Sequence, residues 1–129
     1  MGFRAPKPQP LGISRVMKRL ILCLIVTVAS IQSNAEGMAN SYEVEYVRVD
    51  TSGLAYVNFK SALINEPASC TEKPGFTHAL AFDTNTAGGK SILSVVLTAQ
   101  ASGKLIYALG TGLCDNYGVI EDWNYGWLK

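Results

Sequence analysis

From residue 43 onward, apolar and polar positions fall into short runs with a period of two, separated by clusters of Gly, Asn, Asp, Ser and Pro. Such runs are the pattern of half-buried strands. Residues 43–50, rich in β-branched and aromatic side chains, predict a first strand. Its alternation slips near Val47, which points to a bulge or to burial on both faces. Asp50-Thr51-Ser52-Gly53 predicts a turn, with glycine where a positive φ is useful. Residues 54–61 predict a second strand hairpinned to the first. Ala55, Val57 and Phe59 share one of its faces, and Tyr56, Asn58 and Lys60 share the other. Residues 62–75, with Pro67, Pro74 and Gly75, read as the longest irregular connection. Residues 76–83 predict a third strand with Phe76, His78, Leu80 and Phe82 facing together. The period then changes. Ile92, Val95, Val96 and Ala99 form a helical stripe over residues 89–102, extended by Leu93 and Leu97. Asp83-Thr84-Asn85-Thr86 offers capping side chains ahead of it and Gly103 a left-handed cap after it. Lys90 is the only charge on this helix, so most of its surface is expected to lie against something. Residues 104–110 and 119–128 predict the last two strands, with turns on either side of Cys114. Residues 36–42, polar and small, read as a loose N-terminus. The order is strand, strand, strand, helix, strand, strand: a mainly β, α+β fold.

The first 35 residues follow a different rule. They hold Arg4, Lys7, Arg15, Lys18 and Arg19 and no acid. Lys18 and Arg19 precede an apolar run over residues 20–29, polar residues follow, and Ser33-Asn34-Ala35 puts small side chains at −3 and −1 of a cut before Glu36. Basic, apolar and small-residue regions in that order predict a secretory signal peptide, and the run is short for a membrane span. Met17-Lys18-Arg19 also opens an ordinary leader, so a start at Met17 and a longer basic region from Met1 are both consistent with the pattern. Cys23 stands near the start of the apolar run, the wrong end for a lipid-modified cysteine.

This division changes what the composition means. The chain of 129 residues carries a formal charge of +1 and 16% charged residues. Beyond residue 35, however, six bases face all ten acids, a charge of −4. A body of 94 residues is one domain. It is too apolar for a disordered chain and has no basic footprint for nucleic acid. The expected location is exported, periplasmic or secreted, with no membrane insertion after cleavage. In an oxidising compartment the two remaining cysteines, Cys70 and Cys114, are expected to form one structural disulfide. A metal or redox site is a poor alternative, because there is no Cys-x-x-Cys spacing and His78 is the only histidine.

The element order, with its helix between the third and fourth strands, is that of an OB-like five-stranded barrel. An exported, disulfide-linked chain of this order resembles the B subunits of pentameric bacterial toxins. Residues 89–104, Gly110-Thr111-Gly112-Leu113-Cys114 and the aromatic segment from Glu121 also resemble small exported bacterial proteins of uncharacterised function. No sugar-binding motif of the toxins is matched, so the resemblance carries fold and leaves the ligand open.

Candidate chemistry is sparse. Gly110-x-Gly112 lacks the third glycine and the following helix of a dinucleotide fingerprint and reads as a structural turn. His78 has no acid or nucleophile placed to work with it. Glu121 and Asp122 are adjacent, so in a strand they point to opposite faces. No catalysis, metal or cofactor is expected. Trp123, Tyr125 and Trp127, spaced by two, should share one face of the last strand, with Val119 and Glu121. Those rings are either a stacking platform or the filling of the core. Tyr56, Asn58 and Lys60 are a second polar-aromatic candidate, or an ordinary solvated face. Two functions follow. One is an exported binding module, with homo-oligomers as an option, that recognises a glycan or an envelope partner. The other is a structural or inhibitory periplasmic protein that acts on an envelope protein or protease through an edge strand or loop.

Overall fold

A computed structural model of the chain describes residues 2–6, 8, 36–73 and 75–129. Apart from residues 2–6 and 8, the expected signal peptide, with Cys23, lies outside the described residues, and so does Pro74. The described residues from Glu36 onward belong to one unit, which holds every element of the described residues.

Among the described residues six strands, not five, make two antiparallel sheets. The segment expected to be a loose N-terminus is strand β1, Met38–Tyr42, and β2, Val44–Val49, follows after Glu43 alone. Ser41 sits at φ 63° at this bend. The other strands are β3 (Leu54–Phe59), β4 (Ala79–Asp83), β5 (Ile106–Gly110) and β6 (Trp123–Leu128), and one helix, α1, covers Ala87–Ser102. The first sheet runs β1-β5-β6 and the second β2-β3-β4. They do not close into a five-stranded barrel; a single parallel bridge, Ala81 to Asp122, joins β4 to the segment before β6.

Local chemistry accounts for the boundaries. The slip read near Val47 is a register shift between Val44 and Tyr46. Gly53 takes φ 88° in the β2–β3 turn, a value most side chains resist. Thr86 Oγ1 accepts the Gly89 N–H at 2.9 Å, and Gly103 at φ 70° ends α1 with its N–H on the Ala99 carbonyl. Caps of this kind contribute about 1 kcal/mol each.

The main core lies between the two inner sheet faces and α1. Ala55, Val57, Phe59, Leu80, Phe82, Ile106 and Val96 meet there. The shared face read for Ala55, Val57 and Phe59 is therefore the buried one. The helix inserts only its flank with Val96 and Ala99 fully buried, while Leu97 is exposed. Its expected all-round cover is absent among the described residues. On the exposed side Ser91, Ser94, Thr98 and Ser102 each donate a hydroxyl to the carbonyl four residues back. That satisfies the hydroxyls locally and explains how a helix with one charge stays hydrated.

A second cluster covers the outer face of β3 and β4. Tyr56, Ala79, Ala81 and Ile120 are buried there against Phe76, Tyr117 and Val119. β3 and β4 are thus buried on both faces, which is why their sequences read as nearly unbroken apolar runs. Two loops supply this cover, and the Cys70–Cys114 disulfide, with 6.4 Å between its Cα atoms, joins them. The outer face of the other sheet has no such cover among the described residues.

Candidate functional site

That bare face is where the aromatic residues of β6 emerge. β5 and β6 pair Tyr107 with Trp127 and Leu109 with Tyr125, but Gly110 with Trp123. Asn124 is the extra residue of a bulge between the last two pairs. A bulge breaks the alternation of faces, so the three rings do not line up as spacing alone predicts. Trp123 turns inward and is 8% exposed, packed in the main core. Tyr125 and Trp127 stay outside, 49% and 46% exposed. Gly126 completes the arrangement: a Cβ there would come within 2.5 Å of both Trp123 Cζ2 and the Tyr107 carbonyl oxygen. Only a residue without a side chain lets the indole lie beneath the strand.

Outside, the cross-strand pair Tyr107 and Trp127 stack with centroids 4.2 Å apart and planes 23° apart. Tyr125 lies nearly parallel to Trp127, at 6.3 Å and 10°. Asn40 of β1 is opposite Tyr107 and exposed. Lys129 Nζ sits 5.8 Å from the Tyr107 ring centroid and donates to Ser41 Oγ at 2.7 Å. Ser41 also lines an open cleft of about 550 Å³ at the β1–β2 bend, with Tyr42, Glu43, Lys60, Ser61 and Leu105. An apolar stack and a polar cleft therefore adjoin through Ser41 and Lys129.

The second set of candidate residues is dispersed. Tyr56 is buried, not solvated. The Ile120 and Tyr117 loop lies on it, and its ring meets those of Tyr46, Phe76 and Tyr117 edge to face. Asn58 donates to Glu45 at 2.8 Å, and Lys60 is paired with Glu43 at the mouth of the cleft. Of the three, only Lys60 reaches the site. His78 stands in the turn just before β4, with its Nδ1 3.2 Å from the Phe59 carbonyl oxygen, which accepts.

Tyr107, Asn40, Ser41 and Lys129 were not singled out from sequence. The alternation of β5 puts Tyr107 opposite its buried neighbours Ile106 and Ala108, which is a usable signal. Their proximity to Trp127 depends on strand pairing, which the linear pattern does not contain.

The adjacent acids Glu121 and Asp122, read from sequence as pointing to opposite faces of a strand, are both buried and hold loops. Glu121 is 0% exposed. Its Oε1 accepts the N–H groups of Gly37 and Gly112, both at 2.9 Å, and its Oε2 accepts that of Ala68 at 3.0 Å. Gly110-x-Gly112 is thus a turn wrapped around a carboxylate; a Cβ at Gly110 would strike Glu121 Oε1. Asp122 accepts the Asp115 N–H at 2.8 Å and the Asn116 backbone and side-chain N–H groups at 3.2 and 2.9 Å. Glu121 is thus held by backbone N–H groups of three segments, and Asp122 by those of Asp115 and Asn116 together with the Asn116 side chain.

A third acid sits at the surface. Tyr117 donates its hydroxyl to Asp50 Oδ2 at 2.6 Å, and Arg48 Nε donates to Oδ1 at 2.8 Å. The Tyr117 hydroxyl, and after it the Arg48 guanidinium, hold the Asp50 carboxyl below its ordinary value. Burial and the Asp50 charge push the Tyr117 phenol up.

Among the described residues no helix is long and apolar enough to cross a membrane. Comparison of the chain with protein-family models, with curated proteins and with solved structures finds no match in any of the three.

Proposed function

We propose that this protein is an exported binding module with an OB-like fold, which recognises a glycan through the outer face of the β1-β5-β6 sheet. The observation that carries the reading is the Tyr107–Trp127–Tyr125 stack, half-exposed beside a polar cleft. A pyranose ring has the matching two-sided chemistry: a C–H face that lies on indole or phenol, and a rim of hydroxyls that needs donors and acceptors. Asn40, Ser41, Lys60 and Lys129 supply the latter within the same region. A partner held only by apolar burial has no use for the cleft.

Three features support the OB-like reading. β1 and β2, one residue apart, act as one bent strand that pairs first with β5 and then with β3. The Ala81–Asp122 bridge is parallel, as a closing pair of this element order is. The helix lies between β4 and β5. Export is supported by the order of regions in residues 1–35 and by the disulfide.

The test is a glycan array followed by titration with tryptophan fluorescence, with light scattering to read the oligomeric state. Trp127→Ala is expected to weaken the best glycan at least tenfold. Binding that survives Trp127→Ala and Tyr125→Ala together, or an array with no hit, overturns the proposal.

A further inference from the structure

We propose a second site, independent of the aromatic face: the outer edge of β6 takes an extended polypeptide segment of a partner protein as an added antiparallel strand. Hydrogen-bond parity opens this edge. Lys129 N–H donates to the Leu105 carbonyl, and β5 and β6 stay in register from Ile106–Leu128 to Leu109–Tyr125. In an antiparallel pair, bonded and non-bonded positions alternate. Tyr125, Trp127 and Lys129 therefore turn their backbone groups toward β5. Gly126 and Leu128 turn theirs outward, and among the described residues neither has a partner there. The bridge to β4 ends at Asp122, and among the described residues β4 does not pair with Gly126 or Leu128.

An exposed edge is normally blunted by charge, proline or cover. The free edge strand of the other sheet, β2, carries Glu45 and Arg48, with Glu43 just before it. The β1 edge is met by Ile64 through a two-way bond with Met38. β6, from Trp123 to Leu128, has no charge and no proline. The chemistry of the edge selects its ligand: an N–H and a C=O from Gly126 and again from Leu128, one two-residue repeat apart, are matched by the backbone of another strand and by no sugar or lipid.

The test needs a probe that reads the edge and not the rings. Random decapeptides displayed on phage are selected on the protein, and amide hydrogen exchange is followed by NMR with and without the best free peptide. In the free protein the Gly126 and Leu128 amides should exchange at least tenfold faster than those of Tyr125 and Trp127. The peptide should slow them at least tenfold. N-methylation of alternate peptide amides should weaken binding tenfold or more in one register and hardly at all in the other. No selected peptide, protection elsewhere, or indifference to N-methylation overturns the proposal. So does a free protein already protected at both amides; if that protection is lost on dilution as the mass halves, the occupant is a second copy of this chain. Glycan binding is read with Trp127→Ala and strand addition with backbone N-methylation of the peptide on the unaltered protein, so a failed glycan experiment and a failed strand experiment are distinguishable.

Discussion

Replacing Glu121 by glutamine changes one atom of a fully buried side chain and should be among the most damaging conservative changes in the protein. Its carboxylate accepts N–H groups from three separate segments: Gly37 at the start of β1, Ala68 in the long loop, and Gly112 in the turn after β5. In the better orientation, glutamine keeps its oxygen toward Gly37 and Gly112 and sets its NH₂ against the Ala68 N–H. One charge-assisted bond, about 1.5–3 kcal/mol, is lost, and two donors are left facing each other at about 1–3 kcal/mol. Removing a buried charge offsets part of this. The expected net loss is about 2–4 kcal/mol, or roughly 10–25 °C in Tm for a domain of this size. Urea denaturation monitored by fluorescence measures it, and an unchanged m-value confirms that the folded state is the one altered. The Ala68 amide should also lose exchange protection before those of β3. A Glu121→Gln protein within about 0.5 kcal/mol of the parent, a difference too small for a lost charge-assisted bond, would refute the claim that this carboxylate ties the three segments.

Other predictions follow the same geometry. Trp123→Ala should cost about 3–5 kcal/mol, whereas Trp127→Ala should cost no more than about 1.5 kcal/mol, the worth of its stack on Tyr107; equal losses by urea titration would contradict the inverted faces. Gly89→Ala, which stabilises an ordinary helix by about 1 kcal/mol, should here destabilise by about 1–3 kcal/mol, because its Cβ would run into the Asp83 carbonyl oxygen. Replacing Cys70 and Cys114 by serine opens a loop of 45 residues and should cost roughly 4 kcal/mol in the loop-entropy model, read by thermal unfolding. Asp50 has a lowered carboxyl in the folded state, so its contribution is present above its unfolded value of 3.8 and is lost as pH falls through the folded one. Asp50→Asn should flatten the acid limb of the stability–pH curve below about pH 4; an unaltered limb would show that Asp50 is uncoupled from folding.

Much of the fold is legible along the chain because its causes are local. The period of two in β3, the helical stripe closed by Thr86 and Gly103, and the Asp50–Gly53 turn depend on neighbours within a few residues. What failed, failed where distant segments meet. Residues 38–42 look unstructured alone and become a strand because β5 offers a partner. Tyr56 looks solvated until a loop more than fifty residues away, tied by the disulfide, lies on it. The helix face with Ser91 and Thr98 looks in need of cover and instead satisfies its own hydroxyls.

The aromatic strand shows the division most clearly. By itself the sequence determined that the last strand would be rich in rings and interrupted by Gly126, since these are matters of composition and spacing. Only the tertiary structure decided which rings face water. The pairing of β5 with β6 takes up one extra residue at Asn124, and a single added residue reverses the faces on either side of it. Trp123 goes to the core and fills the space above Gly126, while Tyr125 and Trp127 stay in solvent with Tyr107. Strand register is a property of two segments together, so no reading of β6 alone could have placed its tryptophans.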